Sequence, residues 1–239
     1  MRLGLSIFRS ALGRLANLAL PQDCLLCGAR AGDALLCPAC RAELPTLPAE
    51  HCPLCALPTL GATLCGRCLK RPPHFDATVA PFAYAFPIDR LIQGLKYGHR
   101  LAIVPFLGQA LAATGRLQAD LVVPLPLHPF RLRERGFNQA LEIARAVALD
   151  WQLPLDYRAC ERSHNAPPQA SLPWKERQRN VRGAFLCRHD LTGKHVVAVD
   201  DVMTSGATLD EFARSLKKAG AVRVTSLVVA RTLKTVSRS

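Results

Sequence analysis

An α/β fold built on a parallel sheet with helices on both faces, preceded by a small cysteine-bound module, is the architecture this sequence predicts. Three observations predict it. Eight cysteines crowd into residues 24–68 as four Cys-x-x-Cys pairs. Beyond them, short apolar runs alternate with stretches of helical periodicity, the pattern of β–α–β units. The runs are made of small and β-branched residues, as in Val196-Val197-Ala198-Val199, which suits strands buried on both faces. At 239 residues the chain is long enough for one full domain and a smaller one.

Residues 1–20 come first. Leu5, Phe8, Leu12 and Leu15 fall at helical spacing, with Arg2, Arg9 and Arg14 displaced from that stripe. An amphipathic helix docking on the protein itself is expected, and a helix lying on a membrane surface, giving a peripheral membrane contact, is the alternative. The arginines interrupt any apolar core of a secretion signal, and no small-residue cleavage pattern precedes the first cysteine. No run approaches the ~18 apolar residues of a spanning helix. The expected setting is cytoplasmic.

Residues 21–70 form the cysteine module. Cys24/Cys27, Cys37/Cys40, Cys52/Cys55 and Cys65/Cys68 are each separated by two residues, and the unit repeats at an offset of 28. A Cys-x-x-Cys turn aims two sulfurs at one tetrahedral centre, and two turns complete a four-thiolate shell. Two structural Zn2+ ions are expected, one per repeat. Pairing of outer turns across the module is also open, and a disulfide framework would need an oxidising compartment. Few bulky apolar side chains occur here, so metal must supply much of the folding energy. Cys160 and Cys187 read as ordinary buried thiols.

Arg71-Pro72-Pro73 marks a junction, and residues 74–235 form the larger domain. Thr78 to Ala85 reads as a strand, and residues 88–97 as a helix striped by Ile88, Leu91, Ile92 and Leu95. A second helical pattern spans 101–115. Asp120 to Val123 is a buried strand, followed by Pro124-Leu125-Pro126-Leu127-His128, where prolines hold the backbone in one shape. Arg131, Arg133 and Arg135 can contact phosphate oxygens in bidentate fashion before a helix that runs to about residue 149. Their alternative is a solvated basic face. Residues 161–182 are polar and aperiodic, carry Lys175, Arg177, Arg179 and Arg182, and read as a lid. Val222 to Ala230 is the last strand.

The block from Val196 to Thr208 is the most informative. Asp200 and Asp201 follow the apolar strand at its carboxyl end, where open α/β sheets bind ligands. Thr204-Ser205-Gly206-Ala207-Thr208 then opens a helical pattern over 207–218. Such a turn presents backbone N–H groups and the favourable end of a helix dipole to a phosphate. Hydroxyls of Thr204, Ser205 and Thr208 add donors. A Walker loop is excluded because no Lys follows the glycine, and the dinucleotide fingerprint lacks its spaced glycines. A sugar phosphate, whose hydroxyls need acceptors, fits a phosphate cradle beside two carboxylates. A strand, an acidic turn and a capped helix with no ligand is the plainer alternative.

Net charge is +13, falling to about +9 with eight thiolates and two Zn2+. That balance suits phosphorylated ligands, nucleic acid or both.

The final block resembles the thirteen-residue signature of type I phosphoribosyltransferases, which bind phosphoribosyl pyrophosphate (PRPP). With Leu91 to Gly98, Arg133-x-Arg135-Gly136-Phe137-Asn138-Gln139, Gln169-x-x-Leu172 and Arg177-x-x-Asn180-Val181-x-Gly183-x-Phe185, the chain resembles the ComF family along nearly its whole length. The resemblance implies a type I phosphoribosyltransferase fold behind a double zinc ribbon. It implies that Asp200 and Asp201 hold the ribose hydroxyls and act in catalysis, and that Thr204 to Thr208 hold the 5′-phosphate. Pro124, Leu125 and Pro126, with Arg131, Arg133 or Arg135, would meet pyrophosphate and Mg2+. Lys175 and Arg177 would join the PRPP contacts as the lid closes. Transfer to a nitrogen acceptor, linked to DNA uptake or nucleotide salvage, is the implied activity. A non-catalytic PRPP or nucleotide sensor is the alternative, its zinc ribbons and basic faces holding single-stranded DNA or a protein of the competence machinery.

Overall fold

The computed structural model describes residues 22–162 and 181–233. The helix expected over 1–20, Lys175, Arg177 and most of the proposed lid lie outside the described residues. The chain divides into two compact units, the first ending at Leu44 and the second starting at Pro45. That division runs between the two cysteine repeats, so the second repeat belongs to the unit that carries the large sheet.

In the first unit, β1 (Gln22–Asp23) and β2 (Arg30–Gly32) pair antiparallel and α1 (Pro38–Ala42) follows. The repeat seen in the sequence recurs in the hydrogen bonds. Gly28 N–H donates to the Cys24 carbonyl and Arg41 N–H to that of Cys37. At an offset of 28, Ala56 N–H donates to Cys52 and Leu69 N–H to Cys65. The second repeat likewise ends in a five-residue helix, α2 (Gly66–Lys70). The first Cys-x-x-Cys turn of each repeat is followed by a left-handed residue, Gly28 (φ 72) or Ala56 (φ 55).

The sheet of the second unit is built from β3 (Ala77–Val79), β4 (Phe82–Ala83), β5 (Leu121–Pro124), β8 (His195–Met203) and β9 (Arg223–Arg231). Its order is β3-β9-β8-β5, with β4 also on β9, and all its pairs are parallel. The single strand expected over Thr78–Ala85 is two short pieces. Pro81 sits in the gap, where it has no N–H to offer the ladder. The edge of these pieces is covered rather than open: Ala83 N–H donates to the Pro45 carbonyl and the Thr78 hydroxyl to that of Leu54. Cys52, Cys55 and Cys68 are buried within the same apolar cluster as Phe75, Phe212 and Val228.

Between β4 and β5 lie α3 (Ile88–Gly98) and α4 (Val104–Ala112). Ile88, Leu91, Ile92 and Leu95 are all buried, as their spacing predicts. After β5 come α5 (Pro129–Arg135) and α6 (Gln139–Trp151), then the antiparallel pair β6 (Cys160–Arg162) and β7 (Phe185–Cys187). The arginine run is therefore helical, with Asn138 capping α6 by accepting from Ala140 N–H.

The last helix, α7 (Ala207–Lys218), lays Leu209, Phe212, Ala213 and Leu216 on Val196, Ala198, Val224 and Val228. Residues alternating with these along β8 and β9 face the opposite side, where α4 and α6 pack on the sheet and on each other. Cys160 and Cys187 depart from the free-thiol expectation. They stand opposite one another in β6 and β7 and are joined as a disulfide. Their separation of 27 residues leaves no local sign of the pairing.

Among the described residues, no helix is long and apolar enough to cross a membrane. At Gly108 of α4 a Cβ would stand 2.3 Å from the Ala146 Cβ of α6. Gly108→Val is expected to destabilise the protein by about 1–3 kcal/mol through overpacking, read as a lower urea midpoint with unchanged slope.

Candidate functional site

The carboxyl ends of parallel strands share one edge of a sheet, and β8 brings Asp200 and Asp201 to it. The ladder with β9 continues through Met203↔Arg231, so β8 outruns its four-residue apolar stretch and the doublet lies inside the strand. Successive strand residues point to opposite faces. Asp201 is 4% exposed, and its Oδ1 lies 2.9 Å from Lys96 Nζ at the end of α3. Its Oδ2 is buried with no hydrogen-bond partner.

Asp200 Oδ1 accepts the Asp201 backbone N–H at 2.8 Å. Burial and then the like charge of Asp201 push the Asp200 carboxyl up to about 7, against the pull of Lys96. Burial disfavours the Lys96 charge, yet the Asp201 carboxylate more than offsets this and holds its ammonium above the ordinary range. Lys96 is a site residue that sequence reasoning passed over. It lies within the Leu91–Gly98 motif, where the apolar stripe is the stronger signal.

The turn after β8 leads into α7. Gly206 has φ +81, a conformation that disfavours a side chain, and Ser205 Oγ accepts the Ala207 N–H. The first N–H groups of a helix have no partner within it. In α7 the first of these, Ala207 N–H, is met by Ser205 Oγ; Thr204 before it is exposed and Thr208 after it half-buried.

The neighbouring strand end is tied to this one. Leu125 N–H donates to the Val199 carbonyl at 2.8 Å, and Asn138 Nδ2 donates to the Leu125 carbonyl at 3.0 Å. Pro124 and Pro126 line a cavity of about 610 Å³ together with His128, Asn138, Tyr157 and Arg162. The three arginines of α5 fare differently. Arg131 pairs with Glu134 at 2.6 Å, Arg135 lies 5.5 Å from the centre of the Tyr97 ring, and Arg133 is exposed.

Arg162 of β6 is a further cation, one that the sequence reading did not single out. Its Nε has no hydrogen-bond partner, its guanidinium lies 5.5 Å from the Phe185 ring centre, and its charge acts on Asp200. The Cys160–Cys187 bridge ties the strand pair that carries it.

The cysteines resolve into two local sets, Cys24/Cys27/Cys37/Cys40 and Cys52/Cys55/Cys65/Cys68, with all sulfurs of a set within 4.8 Å of one another. A tetrahedral Zn–S shell has edges of about 3.8 Å, and Cys27–Cys37 and Cys55–Cys65 stand 3.7 and 3.5 Å apart. Burial pushes the Cys24 thiol up, but backbone N–H groups at Cys27, Cys37 and Leu26 bring it down to about 6. The donor set thus fits Zn2+ in closed structural sites, and pairing is local rather than interleaved. These residues would fold each knuckle around its ion.

A family described as double zinc ribbon domain matches residues 15–69, and one described as phosphoribosyl transferase domain matches residues 134–239. DNA utilization protein YhgH of Escherichia coli K12 is 33% identical over 219 residues, covering 88% of this chain and 90% of that protein. Competence protein F of Haemophilus influenzae is 29% identical over 197 residues, covering 77% and 85%. Among solved structures, the allosteric regulatory enzyme of purine biosynthesis is 23% identical with a TM-score of 0.38, spanning 52% of this chain and a quarter of that one (25%).

Two outcomes follow from the site. The folded Asp200 holds its proton to about 7, against 3.8 ordinarily, so the folded state binds more protons between these values. Asp200 therefore contributes stability that is present below about pH 4 and lost as pH rises through about 7. Asp200→Asn should remove that slope from urea midpoints taken between pH 4.5 and 7.5; parallel profiles for the two proteins would contradict it. Cys24→Ser should lower bound zinc from two ions per chain to one by metal analysis; a count that stays at two would remove Cys24 from the ligand set.

Proposed function

We propose that this chain, which belongs to the competence protein F family, binds PRPP across the ends of β8 and β5 and transfers its phosphoribosyl group to a nitrogen acceptor. One observation carries the reading. An acidic doublet with a buried, unpartnered Asp201 Oδ2 stands three residues before the turn that opens α7 at a glycine cap. Few ligands other than a sugar phosphate use hydroxyl acceptors and a phosphate cradle at that spacing. The ribose hydroxyls donate to Asp200 and Asp201, and the 5′-phosphate accepts from Thr204 to Thr208. Lys96 pairs with Asp201 Oδ1 and leaves Oδ2 to accept from the sugar.

The acceptor nitrogen supplies a lone pair to the ribose C1, the bond from C1 to the pyrophosphate oxygen breaks, and pyrophosphate leaves with that electron pair. Positive charge develops on the sugar, and the carboxylates beneath it stabilise the transition state. Mg2+ carried by pyrophosphate would neutralise part of the leaving-group charge. Residues 124–126, with Arg131, Arg133 or Arg135, would receive pyrophosphate. Lys175 and Arg177 would add contacts from the proposed lid. Most of the acceleration comes from positioning and electrostatics rather than covalent catalysis.

The names of the relatives tie them to DNA utilization and competence, and the basic charge of this chain accords with handling phosphorylated ligands or single-stranded DNA. We place its action in a cytoplasmic step that uses imported DNA or salvages its nucleotides, with proteins of that machinery as partners. The test is calorimetry with Mg2+ and PRPP, followed by pyrophosphate detection over a panel of nucleobases. Asp200→Asn with Asp201→Asn should weaken PRPP binding at least 100-fold with the fold intact; unchanged affinity would overturn the ribose assignment. Saturable binding with no pyrophosphate release for any acceptor would replace transfer by sensing.

A further inference from the structure

The second cysteine cluster does more than fold its own knuckle. Two guanidinium groups join it to the phosphate turn, and they grip three successive carbonyls of that turn. Arg67, between the ligands Cys65 and Cys68, donates from Nη1 to the Ser205 carbonyl at 2.6 Å. Arg231, at the end of β9, donates from Nη1 to the carbonyls of Met203 (2.9 Å) and Thr204. Its Nε donates to the carbonyl of the ligand Cys55 at 2.7 Å. The Arg67 guanidinium also lies behind Gly206, where a Cβ would stand 3.8 Å from Nη2.

In a trans peptide the carbonyl of one residue and the N–H of the next point in opposite directions. Fixing the carbonyls of Met203, Thr204 and Ser205 toward the knuckle therefore fixes the N–H groups of Thr204, Ser205 and Gly206 away from it. Those are donors a phosphate would use. The two cations behind the turn also favour an anion in front of it.

Metal ligation does not require an arginine here. The equivalent position of the first repeat, 28 residues earlier, is Ala39, and its cluster has the same four sulfurs. Arg67 is thus an addition to the knuckle rather than part of its frame. The short helix α2 that carries it is five residues long, well below what holds alone in water, so it depends on the ligands at its ends.

We propose that the second four-cysteine knuckle positions the phosphate turn through Arg67, so that losing its metal disorders the turn's N–H groups and weakens sugar-phosphate binding. The affinity part rests on the turn being the phosphate site; the ordering part does not. The test measures backbone amide exchange at residues 204–208, zinc content, and ribose 5-phosphate affinity by calorimetry.

Arg67→Ala should retain both zinc ions, speed exchange at 204–208 at least tenfold and weaken ribose 5-phosphate about tenfold. Arg67→Lys should restore part of each. Cys68→Ser should lose one zinc and loosen the same amides, and if that variant does not fold, Arg67→Ala decides alone. Unchanged exchange at 204–208 in Arg67→Ala would overturn the inference. Faster exchange in a protein whose wild type binds no ribose 5-phosphate would uphold the bracing and overturn the phosphate reading instead.

Discussion

A buried guanidinium with no carboxylate partner among the described residues ties the end of the central strand to the second cysteine knuckle. Arg231 is 1% exposed, and its donors go to the carbonyls of Cys55, Met203, Thr204 and Thr232. Burying a charge is expensive unless hydrogen bonds replace its water. Four carbonyl dipoles from three segments do so here, and each segment is thereby fixed relative to the others. The end of β8, the start of the turn into α7 and the second cysteine knuckle meet at this side chain. Removing any one of them would strand donors in the interior.

The other electrostatic feature is a doublet of like charges at a strand end. Two adjacent carboxylates in low dielectric resist joint ionisation, and the structure meets this asymmetrically. Asp201 pairs with Lys96, while Asp200 is driven toward neutrality. The pair is thus costly to fold and carries acceptor capacity that the protein itself leaves unused, at Asp201 Oδ2. Such a polar atom is rare in a native interior without a ligand to meet it.

Much of the frame was legible because its signals are local. The spacing of Leu209, Phe212 and Leu216 marks α7, and the cysteine intervals mark the four ligand turns, since a Cys-x-x-Cys turn makes its geometry within four residues; only the structure pairs those turns locally. Other features depend on what the chain meets far away. Pairing with β9 carries β8 past its apolar stretch to Met203, and Pro81 breaks a strand whose pattern looks continuous. The Cys160–Cys187 bond, the Lys96–Asp201 pair and the reach of Arg231 to Cys55 join residues 27 to 176 positions apart. No periodicity reports such contacts. The arginines of α5 share one motif yet take three different surroundings, because a helix turns each to a different face.

The repeats also show how duplication separates from use. Both knuckles share backbone hydrogen bonds at an offset of 28, yet one lies in a unit of its own and the other has three of its cysteines buried in the core of the larger fold. The account turns on the space in front of residues 204–208. Titrating 15N-labelled protein with ribose 5-phosphate tests it most directly. Saturable amide shifts confined to residues 200–208 and their neighbours on β5 are predicted; saturation that moves only amides elsewhere, or none, would contradict it.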